Sequence, residues 1–172
     1  MPNVKYLCVL PTVEKDTDRL TKLTVRGTLT GNPQEFSVNF VNDPTCTDNI
    51  TYHFKVLVRL QTIIENYKQK GEWSLSHKET YLNIFDGTGS IDSKSDLINN
   101  NNAADAISST ETDFYLEFTL DYANSTIVVY QLRDSGHNFI CEYNTLFDLT
   151  EIQAVQIWGD VQKINLFAMG YD

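Results

Sequence analysis

Positive charge is scarce in this chain. Thirteen Lys and Arg stand against 23 Asp and Glu, a formal net charge of −10 over 172 residues. Such a surface repels phosphate backbones, so nucleic acid is excluded as a partner and an anionic membrane surface is disfavoured. Long apolar runs are missing too. None approaches the roughly 18 residues of a membrane-spanning helix, and Met1-Pro2-Asn3-Val4-Lys5 does not begin a signal peptide, so no membrane insertion is expected. Cysteine is limited to Cys8, Cys46 and Cys141, an odd and widely spaced set. Free thiols in a reducing compartment are the simplest reading; one disulfide with a leftover thiol is the other. The chain is therefore expected to be cytoplasmic at synthesis, where the glycosylation patterns at Asn49 and Asn124 would be idle.

Catalytic signatures are also absent. His53, His77 and His137 are too scattered for a zinc motif, no CxxC occurs, and no GxSxG elbow is present. Gly87-Thr88-Gly89 lacks the lysine and helix of a phosphate loop. Glu117 and Asp121 share one face of an expected strand, as paired glycosidase carboxylates would. Polar alternation on a solvated strand produces such pairs freely, and no third acid accompanies them. No enzyme, metal site or cofactor is expected.

What the chain has in abundance is alternation. Leu23, Val25 and Gly27 form one inward row, Phe36, Val38 and Phe40 another, and Phe114, Leu116, Phe118 and Leu120 a third. Polar turns separate such segments every 8–12 residues, which predicts an all-β sandwich of two antiparallel sheets with about a dozen strands. Within it, Tyr81–Phe85 is expected to be a strand. The last strand, Val161–Met169, should turn Ile164, Leu166 and Ala168 inward and Phe167 outward, and the termini should lie on neighbouring strands. Residues 86–113 differ in kind: Gly, Ser, Asn and Asp dominate, and Asn99–Asn102 is a homopolymer. Such a composition predicts a long polar loop that limited proteolysis cuts first.

The stretch Ile50–Trp73 carries the functional signal. Ile50, Tyr52, Phe54, Val56 and Val58 alternate with a second row containing His53, Lys55, Leu57 and Arg59. A hairpin to Gln61–Asn66 would set Ile64 and Asn66 beside that second row, and Gly71 would return the chain to present Trp73. A His, an amide and a Trp then converge on one exposed sheet face. An indole stacks on sugar C–H groups while imidazole and amide bind hydroxyls. Trp158 is expected in the core. Lys55 and Arg59 would keep the site cationic, favouring sulfated or carboxylated glycans.

Five fragments resemble the galectin family in order: Leu23-Thr24-Val25-Arg26-Gly27, Phe36-Ser37-Val38-Asn39, His53-Phe54, Thr62-Ile63-Ile64-Glu65-Asn66 with Trp73 seven residues on, and Ile157-Trp158-Gly159-Asp160-Val161. The resemblance implies one galectin-like jelly-roll domain over residues 1–172, with 86–113 as an insertion. It implies a carbohydrate site drawn from His53, Lys55, Arg59, Asn66, Trp73 and Lys78, a glycan or glycoconjugate as partner, a homodimer, and export without a signal peptide. The departures are specific. Lys55 and Leu57 stand where galectins place Asn and Arg, Ser74 follows the Trp in place of Gly, and Ser76 and Lys78 replace the family's Glu and Arg. The expected function is a lectin with altered or weakened β-galactoside specificity. The alternative is a galectin relative that has lost sugar binding and acts through protein contacts.

Overall fold

A computed structural model describes residues 2–11, 19–85 and 113–171; the expected loop at 86–113 lies outside them except for Asp113. The described chain forms twelve strands: β1 (Val4–Val9), β2 (Leu20–Leu29), β3 (Glu35–Val41), β4 (Ile50–Leu57), β5 (Thr62–Gln69), β6 (Glu72–Trp73), β7 (Lys78–Tyr81), β8 (Asp113–Asp121), β9 (Thr126–Arg133), β10 (Gly136–Asn144), β11 (Ala154–Gly159) and β12 (Val161–Tyr171). The one helical element among the described residues is a 3-10 turn, Leu149–Glu151. All pairings are antiparallel. One sheet runs β1-β11-β3-β4-β5-β6, with β7 also on β5; the other runs β10-β9-β8-β2-β12. The all-β sandwich expected from alternation is the fold observed.

The inward rows meet between the sheets. Phe36 stacks on Phe114 with centroids 4.5 Å apart, and Phe118 sits edge-on to Phe40 and Phe54. Each such fully buried ring contributes about 1.5–3 kcal/mol. One carboxyl group shares this interior: Glu65 accepts the Tyr52 hydroxyl on Oε2, while its buried Oε1 has no hydrogen-bond partner. Cys8, Cys46 and Cys141 are all unpaired, in line with the simpler reading of the cysteines.

Four local expectations need correction. Tyr81–Phe85 is not a strand: β7 ends at Tyr81, and the Asn83 side chain accepts the Phe85 N–H at 2.9 Å, turning the chain while Ile84 enters the core. In β12 the register against β2 shifts between Ile164 and Leu166. That bulge exchanges the faces, so Phe167 and Met169 pack on the core and Leu166 is exposed. Ile50 leaves the inward row of β4 for a small separate cluster with Val41 and Ala154, because the β4–β5 register also shifts after it. Finally, the terminal strands are neighbours across the sandwich and not within a sheet. β1 and β12 edge different sheets, and Tyr6 meets Phe167 at 4.8 Å.

Candidate functional site

The outer face of the larger sheet is organised by register. Gln156, Asn39, His53 and Asn66 lie opposite one another across β11, β3, β4 and β5. Two residues along, Trp158, Ser37, Lys55 and Ile64 form a second cross-strand row, which reaches Glu79 on β7. From Tyr52 to Leu57 the alternation of β4, and the β4–β5 pairing from His53 onward, are as the sequence predicts. The β5–β6 connection explains Trp73. Lys70 and Gly71 both have positive φ (53° and 81°), a two-residue turn of the kind that matches strand twist. It sets Trp73 opposite Lys68, and it is held by the Asn49 side chain and the Asp48 carbonyl.

The first row is a polar ladder, and it is buried. Asn39 donates to the Ser37 hydroxyl at 3.0 Å and to the Gln156 carbonyl at 3.2 Å, leaving its Oδ1 to face His53 Nδ1. That oxygen accepts, so Nδ1 carries the imidazole proton and Nε2 keeps its lone pair. His53 is 7% exposed. Burial first, then the Lys55 and Lys68 ammonium groups, push it down to about 3, and the ring is neutral. What covers it is aromatic: Trp73 lies 4.5 Å from the ring and Trp158 5.7 Å, both tilted. The face expected to be open is therefore roofed by two indoles.

Trp158 corrects an expectation. It is half-buried on the outer face, resting against Val41, Ile50 and Ala154, with its indole N–H donated to Gln156 Oε1 at 2.8 Å. Its placement was available from alternation, since Val155 and Ile157 point inward and their neighbours must point out. Trp73 remains 39% exposed and carries the Lys68 ammonium over its ring at 5.1 Å. Beside the indoles lies an open cleft of about 500 Å³, walled by Trp73, His53, Lys55, Ser37 and Trp158.

Four expected site residues thus come together: His53, Lys55, Asn66 and Trp73. Asn66 spends part of its amide locally, donating to the Ser74 carbonyl at 3.1 Å and accepting the Tyr67 N–H at 2.9 Å. Lys55 is ion-paired with Glu35 at 3.0 Å. Arg59 lies in the turn after β4, donating to the Asn32 side chain, and does not line the cleft. Lys78 pairs with Glu65 across β5 and β7. Its ammonium donates to the Glu142 carbonyl at 2.6 Å, in a different cleft with Tyr67 and Tyr143. His77, which no motif singled out, lines the indole cleft and pairs with Glu79 at 3.1 Å. The two carboxylates on β8 are engaged elsewhere: Glu117 with His137 and Lys22, Asp121 with Asn124.

Comparison with known proteins follows the same lines. Residues 9–166 match the galactoside-binding lectin family. No curated protein sequence matches the chain. Among solved structures, it is similar to sheep galectin-11 in complex with glycerol, with TM-score 0.64, 14% identity and 99% of each chain covered. It is also similar to the Caenorhabditis elegans galectin LEC-6, with TM-score 0.63, 14% identity, 99% of this chain and 94% of that one covered. At such identity the likeness to these structures is one of fold.

Proposed function

Because the chain belongs to the galactoside-binding lectin family, we propose that it is a glycan-binding lectin whose β-galactoside specificity is altered or weakened. The observation that carries this reading is the neutral, hydrogen-bonded His53 at the cleft wall. Its Nε2 is an acceptor with no recorded partner among the described residues, and indoles stand on two sides of it. A sugar hydroxyl donates to Nε2 while the ring's C–H face lies against an indole. The Asn66 amide retains a second N–H for a ligand oxygen.

The frame differs from the one that the family resemblance implies. Lys55 is neutralised by Glu35, and Leu57 and Ser76 carry no charge where galectins have Arg and Glu. Losing a charge-assisted hydrogen bond removes about 1.5–3 kcal/mol, roughly ten- to hundredfold in affinity. Lactose is therefore expected to bind weakly or not at all in a tryptophan fluorescence titration. For any glycan that does bind, Trp73→Ala should abolish the response with the thermal midpoint retained, and Trp158 remains as reporter. Tight lactose binding by the wild type would refute the altered specificity.

One observation favours a second reading, a relative that has lost sugar binding and acts through protein contacts. Trp73 packs directly on His53, and Asn66 is partly committed to backbone groups. A glycan array with no hits, on protein shown to be folded, would select it. Under either reading we propose a homodimer formed at the β1 and β12 edges, where Leu7, Val9 and Leu166 are exposed. Sedimentation velocity should show a species of twice the chain mass, and a Leu7→Glu/Val9→Lys variant should return it to monomer; a monomeric wild type at high concentration would refute it.

A further inference from the structure

Strand parity divides the segment around β7 between two clefts. Residues opposite one another in an antiparallel ladder share a face, and β7 pairs with β5 as Ile64↔Glu79 and Glu65↔Lys78. Glu65 is buried in the core, so Lys78 and, two residues back, Ser76 take its side. Both line the cleft at the sandwich edge with Tyr67 and Tyr143, where the Lys78 ammonium ties β7 to the Glu142 carbonyl of β10. Ile64 points outward, and Glu79 and His77 go with it; His77 lines the cleft of His53 and Trp73. A serine turn fixes this arrangement before the strand begins. The Ser74 hydroxyl accepts the Ser76 N–H at 3.0 Å, and the Ser74 N–H donates to the Tyr67 carbonyl at 3.0 Å. Ser76 and Lys78, which match the family's Glu and Arg in sequence, are thereby turned away from the indoles.

His77 is held in one orientation. Its Nε2 lies 3.1 Å from Glu79 Oε1, and Tyr81 donates its hydroxyl to Glu79 Oε2 at 2.7 Å. Those bonds, Tyr81 first and His77 second, hold the Glu79 carboxyl below its ordinary range, so it is an ionised acceptor. A carboxylate facing Nε2 places the neutral ring's proton there and leaves a lone pair on Nδ1. Nδ1 has no recorded partner among the described residues. His53, on the same cleft wall, has the complementary arrangement, with its proton on Nδ1 and its lone pair on Nε2. Two imidazoles from different strands thus present acceptors to one cleft. The lysine between them offers no free charge, since Lys55 is paired with Glu35.

We propose that His77, oriented by Glu79, is a specificity-determining contact that acts with His53 to select a neutral saccharide whose free hydroxyls donate to the two imidazoles. A sulfate or methoxy group in place of either hydroxyl has no proton to give and meets a lone pair. This rests on the reading of the cleft as a glycan site, and the test separates the two. The probe is N-acetyllactosamine, a neutral galactoside, with its monodeoxy and mono-O-methyl analogues, followed by isothermal titration and ligand-observed NMR. His77→Ala should weaken the parent disaccharide by about three- to tenfold, the worth of one neutral hydrogen bond. One deoxy analogue and the matching O-methyl analogue should lose as much on wild type and nothing further on His77→Ala. His77→Asn, which keeps a carbonyl acceptor, should retain part of the affinity. In long-range nitrogen–proton NMR spectra the wild-type His77 ring should be the Nε2–H tautomer, and Glu79→Gln should shift it toward a mixture. Lys78→Arg, which reinstates the family's residue, should stay within about twofold of wild type for every sugar. A larger change overturns the assignment of Lys78 to the other cleft. Deoxy penalties equal on wild type and His77→Ala overturn the His77 contact and leave the glycan site standing, and an Nδ1–H tautomer in wild type overturns the role of Glu79. Absence of N-acetyllactosamine binding by folded wild type overturns the inference, and the glycan array then decides the lectin reading by itself.

Discussion

Gly159→Ala is expected to lower the thermal midpoint by roughly 6–12 °C, from a loss of about 3 kcal/mol. Gly159 has φ +97°, which alanine adopts only under strain, and a Cβ there would stand 2.6 Å from the Glu35 carbonyl oxygen and 2.9 Å from Phe36 Cα. Both are backbone atoms of β3, the strand that pairs with β11, so no side chain can move aside. The next residue fixes the same junction, because the Asp160 carboxylate accepts the Gln34 and Glu35 N–H groups at 2.8 and 3.2 Å. Gly31→Ala is the control. Nothing lies within 4 Å of its added Cβ, so its effect should stay within about 0.5 kcal/mol. Paired melts by circular dichroism check this, and a Gly159→Ala midpoint equal to that of wild type would show that the β3–β11 approach relaxes freely. Since Trp158 immediately precedes Gly159, the variant should also loosen the cleft wall.

The same glycine shows which features the sequence makes legible. Gly159-Asp160 could be recognised because the backbone conformation demands a glycine and the turn demands a carboxylate. The β4–β5 hairpin could be read because its alternation is nearly strict, so a single register satisfies the core. Where a bulge intervenes, the reading fails. Ile50 and Phe167 lie just past register shifts, and each ends on the face opposite to that implied by counting in twos. Trp158 reads as core by residue type, since a tryptophan on a strand suits either face, but the inward Val155 and Ile157 place it outward. The Gln156–Asn39–His53 ladder was out of reach. It joins residues up to 117 positions apart, and the order of β11, β3 and β4 is a tertiary fact with no local signal. Lys78 and Arg59 fall in the same class. Their sequence spacing is close to the family pattern, but their hydrogen-bond partners, Glu142 and Asn32, come from elsewhere in the fold.

Acid is expected to unfold the protein through His53, in a window that a second buried group narrows. His53 is pushed from its ordinary 6.5 down to about 3 by burial and by the Lys55 and Lys68 charges. Between those values the unfolded chain binds a proton that the folded chain does not. Its contribution to stability is complete above about pH 6.5 and is lost as pH falls, reaching on the order of 4 kcal/mol by pH 3. Glu65 acts with the opposite sign. Burial raises it above its ordinary 4.5, against the Tyr52 and Cys141 hydrogen bonds and the Lys78 charge, so the folded state holds a proton that the unfolded state releases. Its contribution is present below about pH 4.5 and is lost as pH rises through its folded value. From pH 4.5 up to the folded value of Glu65 the two slopes oppose each other; below 4.5 the His53 slope is no longer opposed by Glu65. Denaturant titrations should therefore show stability falling less steeply with acid above pH 4.5, where Glu65 opposes His53, than between 4.5 and 3. Asp43, Asp121 and Asp148 are held low by hydrogen bonds within their own turns and add to the acid loss equally in every variant. Glu65→Gln should steepen the decline above pH 4.5, and His53→Gln should make the fall between 4.5 and 3 shallower than that of wild type. If His53→Gln keeps the slope of wild type between pH 4.5 and 3, the imidazole is not held neutral beneath the two indoles, and its Nε2 is not the acceptor on which the sugar site depends.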